Sequence, residues 1–422
     1  MSELLMTTWD GAGVTPPMMS VARALVGRGH DVRVLADPVL RADVEAAGAE
    51  HVSWTRAPHR ADRGRHHFVE DWGAIEPGEG FTRLRDRVTV GPAAAFAADV
   101  REELDRRPAA AVLTELLLFG PQVAAEGAGV PCIVLGATIN VVPAPGVPPF
   151  GMGLMPPTTD EERREQDGLA AQVVAAWDEA LPALNAARAE QGLPPLEHVL
   201  DQGRSAARML VMTSSAFDFV GPLPPTVKYV GPRLDDLGAA GDWTPPPGDD
   251  PLVLVALSSD YQGQEDLLER IVAAADGVPA RFVVTTGHGI DPSSLRGGPN
   301  VQIVRTAPHS EVLRHASLAI THCGHGVTIK TLAAGVPLVC LPMGRDQLDV
   351  AARVVHTGAG VRLDQGAPSD EIASAARRVL ADESYRDAAQ RIAGAIAEET
   401  AGDLAVEEIE AVLAAARKEV VA

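Results

Sequence analysis

Residues 322–326, His-Cys-Gly-His-Gly, place two histidines and two glycines between a short apolar run, Leu318–Thr321, and a helical pattern that opens near Val327. Gly324 and Gly326 let the backbone approach a ligand closely. A helix N-terminus adds unpaired N–H groups and a partial positive charge, and His322 adds a side-chain donor. Strand, glycine turn and helix in that order make a diphosphate cradle at the position where open α/β sheets bind ligands. The same residues also suit a tight turn with a structural histidine. One βα unit later, Asp346 and Gln347 follow the run Leu338–Leu341. A carboxylate beside a carboxamide suits the hydroxyls of a sugar, while an Asp that opens a helix also suits an N-cap.

A second glycine turn lies near the start, in Thr7–Met19, TTWDGAGVTPPMM. It follows another apolar run and precedes another helical pattern, and its one carboxylate is Asp10. Glu115 follows the apolar run Ala110–Thr114. Asp10 suits a turn before Gly11, and Glu115 a helix entry.

The elements that must position these residues alternate in type. Strands are expected at Leu4–Thr7, Asp31–Ala36, Ala110–Thr114, Pro131–Gly136, Met209–Thr213 and Val227–Val230, with helices at Pro17–Arg28, Pro92–Asp105 and Pro121–Ala128 and a long helical pattern ending near Gln191. Residues 56–85 and 142–158 read as loops. Residues 231–251 are polar, rich in Gly and Pro and without periodicity, which reads as a linker. The pattern then restarts, with strands expected at 252–257, 281–286, 301–305, 318–321 and 338–342, and the chain ends in an amphipathic helix. The βαβ order argues for two doubly wound parallel sheets facing across a cleft: a first domain over 1–230, a second over 252–400, and a helix over 401–422 that packs back on the first. The 40 glycines and 33 prolines suit many short βα connections.

A formal net charge of −21 disfavours nucleic acid and anionic membrane as partners. It leaves room for a small nucleotide, because backbone N–H groups hold a diphosphate locally. No stretch approaches the ~18 apolar residues of a membrane span, and no basic, apolar and cleavable segment opens the chain, so a cytoplasmic protein is expected. Cys132, Cys323 and Cys340 have no metal-ligand spacing and read as reduced, buried thiols.

The segment THCGHGVTIKTLAAGVPLVCLPMGRDQLDVAARV resembles the donor-binding motif of the family-1 nucleotide-sugar glycosyltransferases, in H-C-G at 322–324, G-V-P at 335–337, P-M at 342–343 and D-Q at 346–347. VKYVGP at 227–232 and LNAARAEQGLPPL at 184–196 are similar to further segments of that family. The likeness covers essentially the whole chain, is greatest to bacterial antibiotic-type members, and implies the GT-B fold of two Rossmann-like domains. It implies an inverting, metal-independent transfer of a hexose from a UDP- or dTDP-sugar, a co-substrate rather than a cofactor, to an apolar natural-product aglycone. A monomer or homodimer is expected. By the same likeness His322, Gly324, Gly326 and Val327 would meet the diphosphate, joined by Ser259 of the Ser258–Asp260 turn. Arg305 and Ala307 would meet the nucleobase, and Asp346 and Gln347 the donor sugar. No D-x-D triplet occurs, which agrees with a leaving group held by a helix N-terminus and not by a metal.

Three departures from the family pattern stand out. Thr306 replaces the usual Trp beside the base, and Lys330 replaces a Glu that binds ribose hydroxyls. Gly13 occupies the position of the histidine that serves as general base. Glu115, then Asp10, are the expected replacements, with His66 and His67 as more distant candidates. The missing histidine also suits a C-glycosyltransferase, or a sugar-nucleotide-binding partner protein without activity. A 2-epimerase shares the fold, but the D-Q pair argues against it.

Overall fold

The computed structural model describes residues 1–421 apart from 64–68, 71, 73–75, 77 and 237–242. Two all-parallel sheets form. The first contains β1 (Glu3–Thr7), β2 (Asp31–Ala36), β3 (Glu50–Ser53), β4 (Ala111–Glu115), β5 (Cys132–Gly136), β6 (Arg208–Val211) and β7 (Val227–Tyr229), in the order β3-β2-β1-β4-β5-β6-β7. The second contains β8 (Leu252–Ala256), β9 (Arg281–Thr285), β10 (Val301–Val304), β11 (Ala316–Thr321), β12 (Leu338–Cys340) and β13 (Gly360–Arg362), in the order β10-β9-β8-β11-β12-β13.

The central strands are apolar on both faces because helices cover both sides. Leu4 and Met6 of β1 pack with Met18 and Met19 of the helix Thr15–Gly27, while Leu5, between them, points to Phe96 and Val123 on the other face. The terminal helix Leu404–Val421 buries Ala405, Val406, Ile409 and Leu413 against the Leu4 face, so the end of the chain closes the first domain.

Two strands were not anticipated. β3 is a half-exposed edge strand with charged and polar residues, and β13 has only three residues, so neither carries an apolar run long enough to read. The helical pattern ending near Gln191 is two helices, Asp160–Asp178 and Leu181–Glu190. The first starts with a capping box of Thr159 and Glu162, and the second carries Pro182 in its first turn, where proline is tolerated. Within the expected loop 56–85 a short helix forms at Glu79–Leu84.

The strand order reverses between β1 and β4 in the first sheet, and between β8 and β11 in the second. Ligands bind outside the carboxyl ends of strands at such switch points. The four loops there are 8–14, 115–118, 258–260 and 322–324, which carry Asp10, Glu115, Ser259 and His322 respectively.

Candidate active site

The turn after β11 is built around its histidine. Thr321 Oγ1 accepts the Cys323 amide at 3.2 Å, and Cys323 takes a left-handed backbone, φ 64°. The His322 ring then lies over Gly324: a Cβ there would stand 2.5 Å from His322 Nε2, so residue 324 must be glycine. The helix starts at His325, two residues earlier than its pattern suggests, and runs to Ala333. Its N-cap is Gly324, and no side chain caps it, so the amides of 325–327 keep no side-chain partner. A Cβ on Gly326 would meet nothing nearer than the Gly13 carbonyl at 4.0 Å, and one on Gly13 would meet nothing within 4 Å. The uncapped helix start therefore faces the Gly13 loop of the other domain at close range, and neither glycine carries a side chain that would fill the seam between them.

His322 is buried, and burial pulls its pKa down to about 4, a shift opposed by a hydrogen bond to the Ala256 carbonyl and reinforced by the Arg345 charge. A neutral imidazole has one N–H. Given to Ala256, that N–H is not available to a phosphate, so the expected side-chain donor requires protonation. His325 turns into the domain interface, where Nε2 meets Thr213 Oγ1 at 2.9 Å. Val327 packs its side chain beside Leu254 and Ala319 and contributes only its backbone.

Asp346 is the N-cap residue of the helix Gln347–His356, yet its side chain makes no capping bond. Oδ2 accepts from Thr138 Oγ1 across the cleft at 2.6 Å. Gln347 is committed inside its own loop: Oε1 accepts the amides of Met343 (2.8 Å) and Gly344 (3.1 Å), and Nε2 donates to Gln262 Oε1 at 2.9 Å. Both ends of the carboxamide are engaged in shaping the turn that presents Asp346.

The two candidate bases differ. Glu115 ends β4 with its carboxyl buried beside Trp9. Burial raises its pKa to about 8 against hydrogen bonds from the Leu117 amide (2.8 Å to Oε2), Trp9 and the Leu116 amide. It is not the ordinary carboxylate that its sequence position suggests. Asp10 is equally buried, and its pKa is raised by desolvation, with Arg63 and Arg60 opposing. Arg60 Nη1 and Arg63 Nε stand 3.5 Å and 3.7 Å from Oδ2. His66 and His67 lie outside the described residues.

Ala307 is buried and Arg305 exposed on the loop after β10, where Arg305 Nη1 donates to the His288 carbonyl at 3.4 Å. Ser259 is exposed at the end of β8. Asp260, expected with it to face phosphates, instead takes Arg60 at 3.0 Å on Oδ1 and Arg345 at 2.9 Å on Oδ2. Lys330 neither points to solvent nor stands free: Nζ donates to the Asp235 carbonyl (2.9 Å) and to Asp236 Oδ1 (2.5 Å) in the linker. Arg60, Thr138, Asp236 and Arg345 were not anticipated. Arg345 adjoins the D-Q pair, a usable signal. Arg60 and Asp260 are 200 residues apart, and no spacing shows that they meet.

Two doubly wound domains whose switch-point loops face each other across an uncapped helix N-terminus define a nucleotide-sugar glycosyltransferase of the GT-B fold. Comparisons with known proteins agree. Residues 196–413, just over half of the chain, match the model of the family described as UDP-glucoronosyl and UDP-glucosyl transferase, and the chain belongs to that family. It is 28% identical over 406 residues to 4'-demethylrebeccamycin synthase of Lentzea aerocolonigenes, covering 93% of this chain and 94% of that protein. It is 27% identical over 414 residues to oleandomycin glycosyltransferase of Streptomyces antibioticus, covering 96% and 89%. Among solved structures, the kitacinnamycin glycosyltransferase superimposes with a TM-score of 0.78 at 22% identity over 98% of this chain and 99% of that one, which supports the fold. The chain is thus a glycosyltransferase whose relatives include bacterial antibiotic glycosyltransferases. No helix among the described residues is long and apolar enough to cross a membrane.

Proposed function

We propose that the protein transfers a hexosyl group, with inversion and without a metal, from a UDP- or dTDP-sugar to a hydroxyl of an apolar natural-product aglycone held in the interdomain cleft. The observation that carries this reading is the helix start at residues 325–327, which no side chain caps and which faces Gly13 of the other domain. At that helix start a diphosphate gains N–H groups whose hydrogen bonds strengthen as leaving-group charge develops. Asp346, reached from the first domain by Thr138, would bind the donor sugar. The base segment would lie along 305–307. A structure similar to this chain at a TM-score of 0.70 and 17% identity, that of the glycosyltransferase VinC, was solved in complex with dTDP, in keeping with such a donor.

Glu115 is the proposed base. Its carboxylate takes the acceptor proton as the acceptor oxygen bonds to the anomeric carbon and the bond to the diphosphate breaks. A pKa of about 8 matches a phenol or an enol far better than a simple alcohol. The glycine at position 13 supports a second reading, C-glycosylation of a phenolate-activated ring, which needs no base at that position. Incubation with UDP- or dTDP-glucose and a panel of phenolic and polyketide acceptors tests both. An acid-labile product identifies O-transfer and an acid-stable one C-transfer. Donor binding with no product would overturn both readings in favour of a non-catalytic binding protein.

A further inference from the structure

We propose that Arg345 is a cationic ligand of the donor diphosphate, and that Asp260 holds its guanidinium in place while the site is empty. The inference rests on the reading of residues 322–327 as the donor cradle. Its first ground is topology. In the second sheet β11 lies between β8 and β12. Asp260 follows β8 and Arg345 follows β12, so their 2.9 Å ion pair spans the carboxyl end of β11, where the His322 turn begins. The charge of Arg345 registers at His322 in just this sense, lowering its basicity.

The second ground is backbone. Arg345 is one of three described non-glycine residues with positive φ, at 54°, and Cys323 of the cradle turn is another. Such conformations are costly for a residue with a side chain and persist at ligand sites where the surroundings enforce them. Gln347, which accepts the amides of Met343 and Gly344, enforces this one.

The third ground is that the exchange leaves no buried charge without a partner. Asp260 is 5% exposed and uses its two oxygens for two arginines, Arg60 from the first domain and Arg345 from the second. When a diphosphate draws Arg345 away, Arg60 remains on Asp260, so the cost of an unpaired buried carboxylate does not arise. Arg345 keeps a fifth of its side chain exposed and has water access to make the exchange. In a chain of net charge −21, a guanidinium matched to phosphate oxygens supplies the local attraction an anionic donor needs.

The test is calorimetric titration of the full-length protein with dTDP, UDP and thymidine. Arg345→Gln should weaken dTDP and UDP at least tenfold and leave thymidine unchanged, and Arg345→Lys should recover part of the loss. Asp260→Asn, which releases the guanidinium, should bind dTDP at least as tightly as the parent. Arg345→Gln with parental diphosphate affinity overturns the proposal. If Gly326→Ala loses dTDP in the same experiment, the donor cradle stands and only the role of Arg345 falls. If Gly326→Ala also binds dTDP as the parent does, the cradle reading fails too. A thermal melt of each variant separates loss of fold from loss of ligand.

Discussion

Thr138 of the first domain donates a 2.6 Å hydrogen bond to Asp346 of the second, so the residue proposed to bind the donor sugar is oriented from across the cleft. Its carboxylate does not serve its own helix, which removes the capping explanation for an Asp at that position. Asp346→Asn should raise the donor KM or lower kcat while free UDP and dTDP bind as before. Loss of a hydrogen bond to a charged group is worth roughly 1.5–3 kcal/mol, on the order of a tenfold effect or more. Equal losses for the sugar nucleotide and the bare nucleotide would place the residue elsewhere in the mechanism.

Gly326→Ala separates the packing role of the glycine from its binding role. A Cβ there meets only the Gly13 carbonyl at 4.0 Å, and exchanging Gly for Ala inside a helix stabilises by about 0.5–1 kcal/mol. The melting temperature should hold or rise while UDP and dTDP affinity falls, read by thermal melts and calorimetry on the same sample. A drop in stability would show that the glycine serves the fold.

Glu115→Gln keeps the shape of the side chain and removes its basicity. Transfer to a neutral alcohol should slow by about 10²-fold or more, with donor binding retained. The loss should shrink as the acceptor becomes more acidic, because an ionised acceptor needs no base. In the parent enzyme kcat should rise as pH passes through about 8, where Glu115 ionises, and that rise should vanish in the variant. A dead Asp10→Asn beside a fully active Glu115→Gln would assign the base to Asp10.

The same group sets a pH dependence of stability. Its folded pKa, about 8, is above the ordinary carboxyl value of 4.5, so the stability it contributes is complete below 4.5 and lost as pH rises through 8. Asp37, raised to about 7 by burial, acts in the same direction. His309 and His322, both lowered to about 4 by burial, cost stability only as pH falls below the ordinary histidine value of 6.5, a slope of opposite sign. Between pH 6.5 and 8 the acids dominate, and urea midpoints should fall with rising pH. Glu115→Gln should flatten that fall and exceed the parent in stability above pH 8. Parallel curves for the two proteins would contradict the buried, protonated state of Glu115.

The sheets were legible because β1, β4, β5, β8, β9 and β11 are apolar runs bounded by turns, a pattern that a strand buried on both faces cannot avoid. β3 and β13 were not, because edge position and brevity remove that pattern. Asp346 and the glycines of residues 322–326 stood out as candidates because they are close in sequence and their types limit what they can do. The turn that Gln347 builds was not legible, because its partners, the amides of Met343 and Gly344, carry no side-chain signature. Neither the shifted acidity of Glu115 nor the Arg60–Asp260–Arg345 chain was visible. Both are created by packing between segments far apart in sequence.

The central claim is that the donor diphosphate binds the uncapped start of the helix His325–Ala333, across from Gly13. A crystal structure with dTDP or UDP bound tests it most directly. The account predicts phosphate oxygens at hydrogen-bond distance, about 2.7–3.2 Å, from the amides of residues 325–327, with the base lying along residues 305–307. A nucleotide bound elsewhere, with no phosphate oxygen at those amides, would contradict it.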